Sequence, residues 1–302
     1  MKLTFLGTTG SIPTKSRGLP SIAIRREGEL ILFDCGEGTQ SQMVKAGLSP
    51  LKIDSIFLTH LHGDHFLGLA GIVQTMSLLD RKTPLEIFAP IEDVERIREY
   101  LRIPHYTLTF DVNVHGLRPG EEVKRKGYRI KTCRPEHSVP ELAYALVEDE
   151  RPGRLDVEKA ISMGIFPGPS FSKLKAGIPV KGAGGRIVHP EEVIGPPRPG
   201  RKIVYTGDTK PTERIVDLAR GADVLIHDAT LSDDLSEKAG ENFHSTPSGA
   251  ATVAKEAGVK LLVLIHISPR YEDATILLEQ AKKVFPNTIV AEDLMELEVP
   301  LP

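Results

Sequence analysis

The chain predicts an α/β protein of two sheets covered by outer helices. Three observations carry this. Strand and helix signals alternate along most of the 302 residues. Apolar residues make up 40% of the chain, enough for a large core. Ligand-type side chains fall directly after predicted strands, where α/β sheets place their sites.

The elements read as follows. Residues 3–6, 21–25, 29–34, 53–59 and 85–88 are short apolar runs bounded by Gly or Pro, and predict strands. Residues 38–46 predict a short helix closed by Gly47, 66–79 an apolar helix, and 92–101 a charged amphipathic one. Strands cluster from Thr107 to Val147, with a hairpin turn at Lys126-Gly127. From Arg151 to Gly200 the chain turns rich in Gly and Pro, with one helical piece at 156–163. So long a stretch with little pattern predicts a segment without a compact core, of the functional or disordered kind. Order then resumes: strands at 202–206, 224–227 and 260–266, helices at 212–219, 247–257 and 274–284.

Composition excludes some classes. Net charge is −3, so the whole chain is no basic nucleic-acid binder, and contact with a polyanion needs a local patch or metal ions. No apolar run approaches the roughly 20 residues of a membrane span, and no membrane partner is expected. No signal peptide is read at the N-terminus. Cys35 and Cys133 are read as buried thiols in a reducing, cytoplasmic setting.

The strongest signal is Thr59-His60-Leu61-His62-Gly63-Asp64-His65, with four ligand-type side chains in six residues after a strand. Imidazole and carboxylate suit Zn²⁺ and related ions. Six residues cannot enclose two ions, so further ligands are sought at strand ends. His137, Asp208 (in Thr206-Gly207-Asp208-Thr209) and His266 qualify.

This pattern resembles the metallo-β-lactamase superfamily. The resemblance implies a four-layer αββα sandwich with the site at one edge of the sheets. It implies one Zn²⁺ on His60, His62 and His137, a second on Asp64, His65 and His266, and Asp208 as bridge. Further segments resemble the ribonuclease Z family, whose members remove the 3′ trailer from precursor tRNA. They are Phe33-Asp34-Cys35-Gly36-Glu37-Gly38-Thr39-Gln40, His227-Asp228-Ala229-Thr230 (Asp where Glu is usual), Phe243-His244-Ser245-Thr246 and His266-Ile267-Ser268-Pro269-Arg270-Tyr271. Pro13-Thr14-Lys15-Ser16-Arg17-Gly18 carries Gly where that family has Asn. Residues 166–169 through 195–200 resemble its tRNA-gripping arm, so residues 150–200 are expected as a protruding, flexible arm inserted in a single domain spanning 1–302. The resemblance also implies a 3′-hydroxyl on the tRNA, a 5′-phosphate on the trailer, and a homodimer.

The residues make chemical sense for that reaction. Two zinc ions activate a water and stabilise phosphodiester charge. Asp64 is expected as general base. His244 is expected to protonate the leaving oxygen, read as the trailer's 5′ oxygen, with Asp228 orienting it. His227 is read as structural. Lys173, Lys175, Lys181 and Arg186, with few acids nearby, are candidates for phosphate contacts, as are Lys15 and Arg17. Lys124, Arg125, Lys126, Arg129 and Lys131 are read as the solvated face of a hairpin. Rival readings are a small-ester hydrolase of the same fold (a lactonase, arylsulfatase or cyclic-nucleotide phosphodiesterase), a DNA-directed nuclease, and a zinc-stabilised RNA-binding protein without turnover.

Overall fold

The computed structural model describes residues 1–302, which divide into two compact units: residues 1–146 with 202–300, and residues 147–201 with 301–302. In chain order the strands begin β1 (Lys2–Gly7), β2 (Ser21–Arg26), β3 (Glu29–Phe33), β4 (Ile53–Phe57), β5 (Leu85–Pro90), β6 (Val112–Leu117), β7 (Glu122–Arg125), β8 (Tyr128–Cys133) and β9 (Ala143–Glu148). After β10 (Val180–Lys181) and β11 (Ile187–Val188) come β12 (Lys202–Tyr205), β13 (Val224–Asp228), β14 (Leu261–Ile265), β15 (Thr288–Val290) and β16 (Glu296–Glu298). The helices are α1 (Thr39–Lys45), α2 (Gly63–Phe66), α3 (Leu69–Leu78), α4 (Val94–Arg102), α5 (Val157–Ser162), α6 (Pro169–Lys175), α7 (Pro190–Val193), α8 (Glu213–Ala219), α9 (Ser236–Glu241), α10 (Pro247–Ala257) and α11 (Thr275–Val284).

The larger unit holds two seven-stranded sheets, ordered β16-β1-β2-β3-β4-β5-β6 and β15-β14-β13-β12-β9-β8-β7. Alternate residues of each face the other: Leu3 and Phe5, Ile22 and Ile24, Ile31 and Phe33 against Tyr144, Ile203 and Tyr205, Val224 and Ile226, Val263 and Ile265. This period of two is what a pleated strand imposes. Phe33 stacks on Tyr144 and Tyr205, with ring centroids 5.7 and 5.9 Å away, at the centre of that layer. The other face of the first sheet (Ala23, Leu30, Leu32, Ile56, Ile87) packs on Met43 of α1, Ile72, Val73 and Met76 of α3, and Ile97 of α4. Helices α8, α10 and α11 lie against the second sheet. Both faces being covered explains why the inner strands read as near-continuous apolar runs rather than clean alternation. The expected αββα sandwich is the fold observed.

Parallel pairing sets where the site lies. β3, β4 and β5 run parallel, as do β12, β13 and β14. Their C-terminal ends meet where Thr9, past β1, bridges Ile267, past β14. The two edges of the sandwich that carry β6 and β7 lie at the far side of the strand order.

The smaller unit corrects one expectation. Residues 150–200 were expected to lack a compact core, yet Ala160, Ile165, Leu174, Val180, Val188 and Val193 form one. The short β10–β11 ribbon and three short helices supply five of these side chains and the loop after α5 supplies Ile165, while glycines at positive φ (Gly164, Gly168, Gly177) make the turns. Isolated bridges Arg151–Arg198 and Leu155–Ile194 close its neck. At its base Arg201 forks onto Glu148, donating from Nε at 2.7 Å and from the terminal amine at 2.8 Å. Each helix is only a turn or two, too short for periodicity to reveal it.

Cys35 is buried and Cys133 half-buried, and both are free thiols. No helix is long and apolar enough to cross a membrane.

Candidate metal centre

Six chain segments end at the same corner. Asp34 follows β3, His60 to His65 follow β4, His137 follows β8, Asp208 follows β12, Asp228 closes β13 and His266 follows β14. Of these, His62, Asp64, His137, Asp208 and His266 line a cleft of about 680 Å³ together with Ser11, Glu37, Phe243 and His244.

The seven expected ligands fall into two groups, His60, His62, His137 and Asp208 in one and Asp64, His65 and His266 in the other, and Asp208 and His266 also converge with Asp228 and His244 in a third. In the first, His62 Nδ1 lies 3.1 Å from both His60 Nε2 and His137 Nε2. In the second, His266 Nε2 is 3.4 Å from Asp64 Oδ2, and His65 Nε2 is 3.7 Å from the same oxygen. Asp208 reaches both groups: Oδ2 is 3.8 Å from His60 Nε2 and 3.3 Å from His266 Nε2, and Oδ1 is 3.4 Å from His65 Nε2. Tetrahedral zinc with bonds of about 2.1 Å spaces its ligand atoms about 3.4 Å apart. The donor set therefore fits two divalent cations. His65 Nε2 and Asp208 Oδ1 are buried without a hydrogen-bond partner, as atoms reserved for a metal are.

The partners on the far side of each ring fix which nitrogen faces the centre. Asp34 Oδ2 accepts from His65 Nδ1 at 2.7 Å. The Thr59 hydroxyl donates to Asp34 and so must accept from His60 Nδ1, 3.0 Å away. A matching relay serves His266: the Thr230 hydroxyl donates to Asp228 Oδ1 at 2.6 Å and accepts from His266 Nδ1 at 2.8 Å. Thus His60, His65 and His266 all present Nε2. Asp34 and Thr59 gain further hold from the Thr59 amide and the Tyr205 hydroxyl, both donating to Asp34.

Electrostatics agree. Burial keeps His60, His62 and His137 below the usual histidine range, hence neutral and able to coordinate. Burial alone would push Asp208 and Asp64 up. The surrounding histidines outweigh it and hold both carboxyls well below their ordinary range. Burial likewise opposes a proton on His65, but Asp208 and Asp34 outweigh it and hold His65 well above its ordinary value.

His244 lies outside the seven. Its Nδ1 donates to Asp228 Oδ2 at 2.8 Å, and its ring stacks on His266 with centroids 5.1 Å apart. Burial lowers its proton affinity, yet Asp228 more than reverses this and pushes it up to about 9. Asp228 is itself held by the amides of Thr209 and Thr230. His227 points away from the centre's hydrogen bonds: it is fully buried, and its Nδ1 donates to the Asp228 carbonyl.

Two expectations need correction. Arg17 is only 8% exposed, and its guanidinium donates to Thr8 Oγ1 and the Ala291 carbonyl, so it holds its loop together and does not face an incoming phosphate. Arg186 is exposed but paired with Glu192, an acid that sequence spacing placed out of view. Lys15, Lys173, Lys175 and Lys181 are exposed. Lys124, Lys126 and Lys131 on the β7–β8 hairpin are exposed too, while Arg125 and Arg129 are half-buried. Sequence reasoning missed Asp34, Thr59, Glu141 and Thr230. Asp34 alone carried a signal, as an acid ending a predicted strand.

Backbone strain concentrates here. Asp34, Phe243 and His266 adopt φ of 57°, 60° and 60°, a left-handed conformation costing a non-glycine residue about 1–2 kcal/mol. A Cβ on Gly10 would lie 2.2 Å from the His266 ring, so only glycine admits that ring.

Comparison with known proteins follows the same lines. Residues 1–152 match a family model described as "Anti-Pycsar protein Apyc1", and residues 168–267 match one described as "Beta-lactamase superfamily domain". The chain is 51% identical over 301 residues to a ribonuclease Z of Methanosarcina acetivorans, covering 99% of this chain and 98% of that one. It is 50% identical to a ribonuclease Z of Methanothermobacter thermautotrophicus, covering 99% and 97%. Among solved structures it is similar to the human tRNase Z short form, with a TM-score of 0.73 at 32% identity over 99% of this chain and 100% of that one.

Asp34→Asn leaves the fold's apolar layers untouched but removes the charged acceptor behind His65 and Thr59. We expect a bound divalent cation to be released at roughly 10- to 100-fold higher free concentration than from wild type. Competition with a chromogenic chelator measures this. Unchanged retention would show that Asp34 does not orient the ligands.

Proposed function

The chain belongs to the ribonuclease Z family, and from that premise we propose a zinc-dependent endoribonuclease that removes the 3′ trailer from precursor tRNA. The tRNA keeps a 3′-hydroxyl and the trailer a 5′-phosphate. The reading includes two zinc ions per chain and a homodimeric, cytoplasmic enzyme. The observation that carries it is the convergence of His60, His62, Asp64, His65, His137, Asp208 and His266, with His244, held by Asp228, beside them in the cleft.

Two bound zinc ions would supply positive charge to the scissile phosphodiester and make a water acidic enough to attack at neutral pH. His60, His62 and His137 would hold one, Asp64, His65 and His266 the other, with Asp208 shared. Asp64 Oδ2, fixed by the Ser11 amide at 2.6 Å, is the base that takes the proton of the attacking water. As the water oxygen bonds to phosphorus, the bond from phosphorus to the tRNA's 3′ oxygen breaks. That 3′ oxygen is the leaving atom, since the phosphate stays with the trailer; the trailer's 5′ oxygen, expected from sequence, keeps its bond. Asp228 holds His244 by Nδ1, so the other ring nitrogen delivers the proton to the 3′ oxygen.

A 3′-extended tRNA transcript incubated with the protein should yield a 3′-hydroxyl tRNA and a 5′-phosphorylated trailer on end mapping. Products with the opposite ends would refute the reading. His244→Ala should lower turnover by roughly 10² to 10⁴ with metal content unchanged. Loss of zinc from that variant would make His244 a ligand or its support.

The smaller unit is read as the part that grips the tRNA body through Lys173, Lys175, Lys181 and the half-neutralised Arg186, with Lys15 of the larger unit as a further phosphate contact. No Asp or Glu occurs between Lys159 and Glu191, which favours contact with phosphates. All seven ligands belong to the larger unit. Leu155 and Ile194 are bridged partners, so a short Gly/Ser linker can replace the residues between them at small closure cost. This deletion should cut precursor-tRNA processing by about 100-fold or more while a small chromogenic phosphodiester is still hydrolysed within a few-fold of wild type. The reverse pattern would favour the small-ester hydrolase, with this segment acting as a lid.

A further inference from the structure

Glu141 is a carboxylate with a 1% exposed side chain, four residues after His137. Its Oε1 accepts from the Asp208 amide at 2.8 Å and stands 3.4 Å from His60 Nδ1. Its Oε2 is buried with no partner. The next residue, Leu142, donates its amide to the Thr59 carbonyl at 3.0 Å. Residues 137–142 therefore touch the segments that supply His60 and Asp208, and themselves supply His137. Gly207 is shaped for this contact: its φ is +64°, and a Cβ there would lie 2.1 Å from Glu141 Oε1.

These contacts reach His60, which belongs to the first group alone, and Asp208, which both groups share. The opposite group is oriented by other residues, Asp34 behind His65 and Thr230 behind His266.

We propose that Glu141 is a positioning residue for one of the two metal ions. By accepting the Asp208 amide and facing His60, it sets the affinity of the His60/His62/His137 position and, through the shared Asp208, affects the Asp64/His65/His266 position much less. The inference rests on the two-ion reading above. The decisive property is a hydrogen-bond acceptor at the reach of a glutamate side chain.

Zinc itself is the probe. The full chain is equilibrated in a series of zinc buffers, and ions per chain are counted by native mass spectrometry. Wild type should step between zero, one and two ions. Glu141→Leu, without the acceptor, should fill one position nearly as wild type does and the other only at about 10- to 100-fold higher free zinc. Glu141→Gln keeps an oxygen at the same reach and should restore both steps, which a general packing defect would not allow. Glu141→Asp keeps the charge but withdraws the oxygen by one methylene. It should behave like the leucine variant, and it carries the test should that variant fail to fold. Two wild-type steps in the leucine and aspartate variants would overturn the proposal, as would equal weakening of both steps or a glutamine variant as defective as leucine. A wild type that takes up a single ion would refute the two-ion reading, whichever way the Glu141 variants behave.

Discussion

Asp34 is fully buried, yet it accepts from the His65 ring, the Thr59 amide and hydroxyl, and the Tyr205 hydroxyl. These donors come from both sheets, so one carboxylate ties the ends of the first sheet to the second. A buried acid is tolerated only where its lone pairs are filled, and here they are. Once Asp34 is held, His65 can present only Nε2 to the centre, and Thr59 has no choice but to accept from His60. Two candidate ligands are thus aimed by a group outside the seven. The apolar layer beneath, where Phe33 stacks between Tyr144 and Tyr205, makes that carboxylate's position rigid.

The same economy explains the charge of the site. Asp34, Glu141, Asp208 and Asp228 are all buried, and Asp64 nearly so. Carboxylates crowded together repel, and burial adds to the cost. Neutral histidines relieve little of this. Divalent cations relieve most of it, which is why the corner reads as a binding site even before substrate is considered. The strained φ values at Asp34 and His266 belong to the same account. Each turns a side chain sharply off a strand end into the cleft, and the larger unit's packing sustains the strain.

The parts legible from sequence were those whose signal is local. His60, His62, Asp64 and His65 share one turn. His137, Asp208 and His266 follow strands whose apolar runs are clear, and the helix at 247–257 was read to the residue because Thr246, Pro247 and Gly258 mark its ends. What stayed hidden depends on contacts far apart in the chain. Thr59 and Thr230 look like ordinary strand-end threonines until a carboxylate is found behind each. Glu141 gains its meaning only when Gly207 is folded against it. Arg17 read as a surface cation because a basic loop residue ordinarily is one, whereas Thr8 and the Ala291 carbonyl, 274 positions away, bury it. The helices at 169–175, 190–193 and 236–241 are shorter than the window over which periodicity can be seen.

The core of residues 147–201 changes what kind of binding element that unit can be. A disordered basic segment must be ordered on contact, at a cost taken out of its affinity. Here Ala160, Ile165, Leu174, Val180, Val188 and Val193 fix the backbone in advance, so Lys173 and Lys175 stand on a formed helix and Lys181 on a formed ribbon. Their charges are then presented at set spacing. In the reading proposed above, such a surface recognises the shape of a phosphate backbone and not its sequence, and its contribution weakens as salt rises. That suits an enzyme whose substrates share a fold and differ in sequence. That same proposed reading gives chemistry to the buried carboxylates and histidines of the larger unit and selection to the exposed lysines of the smaller one.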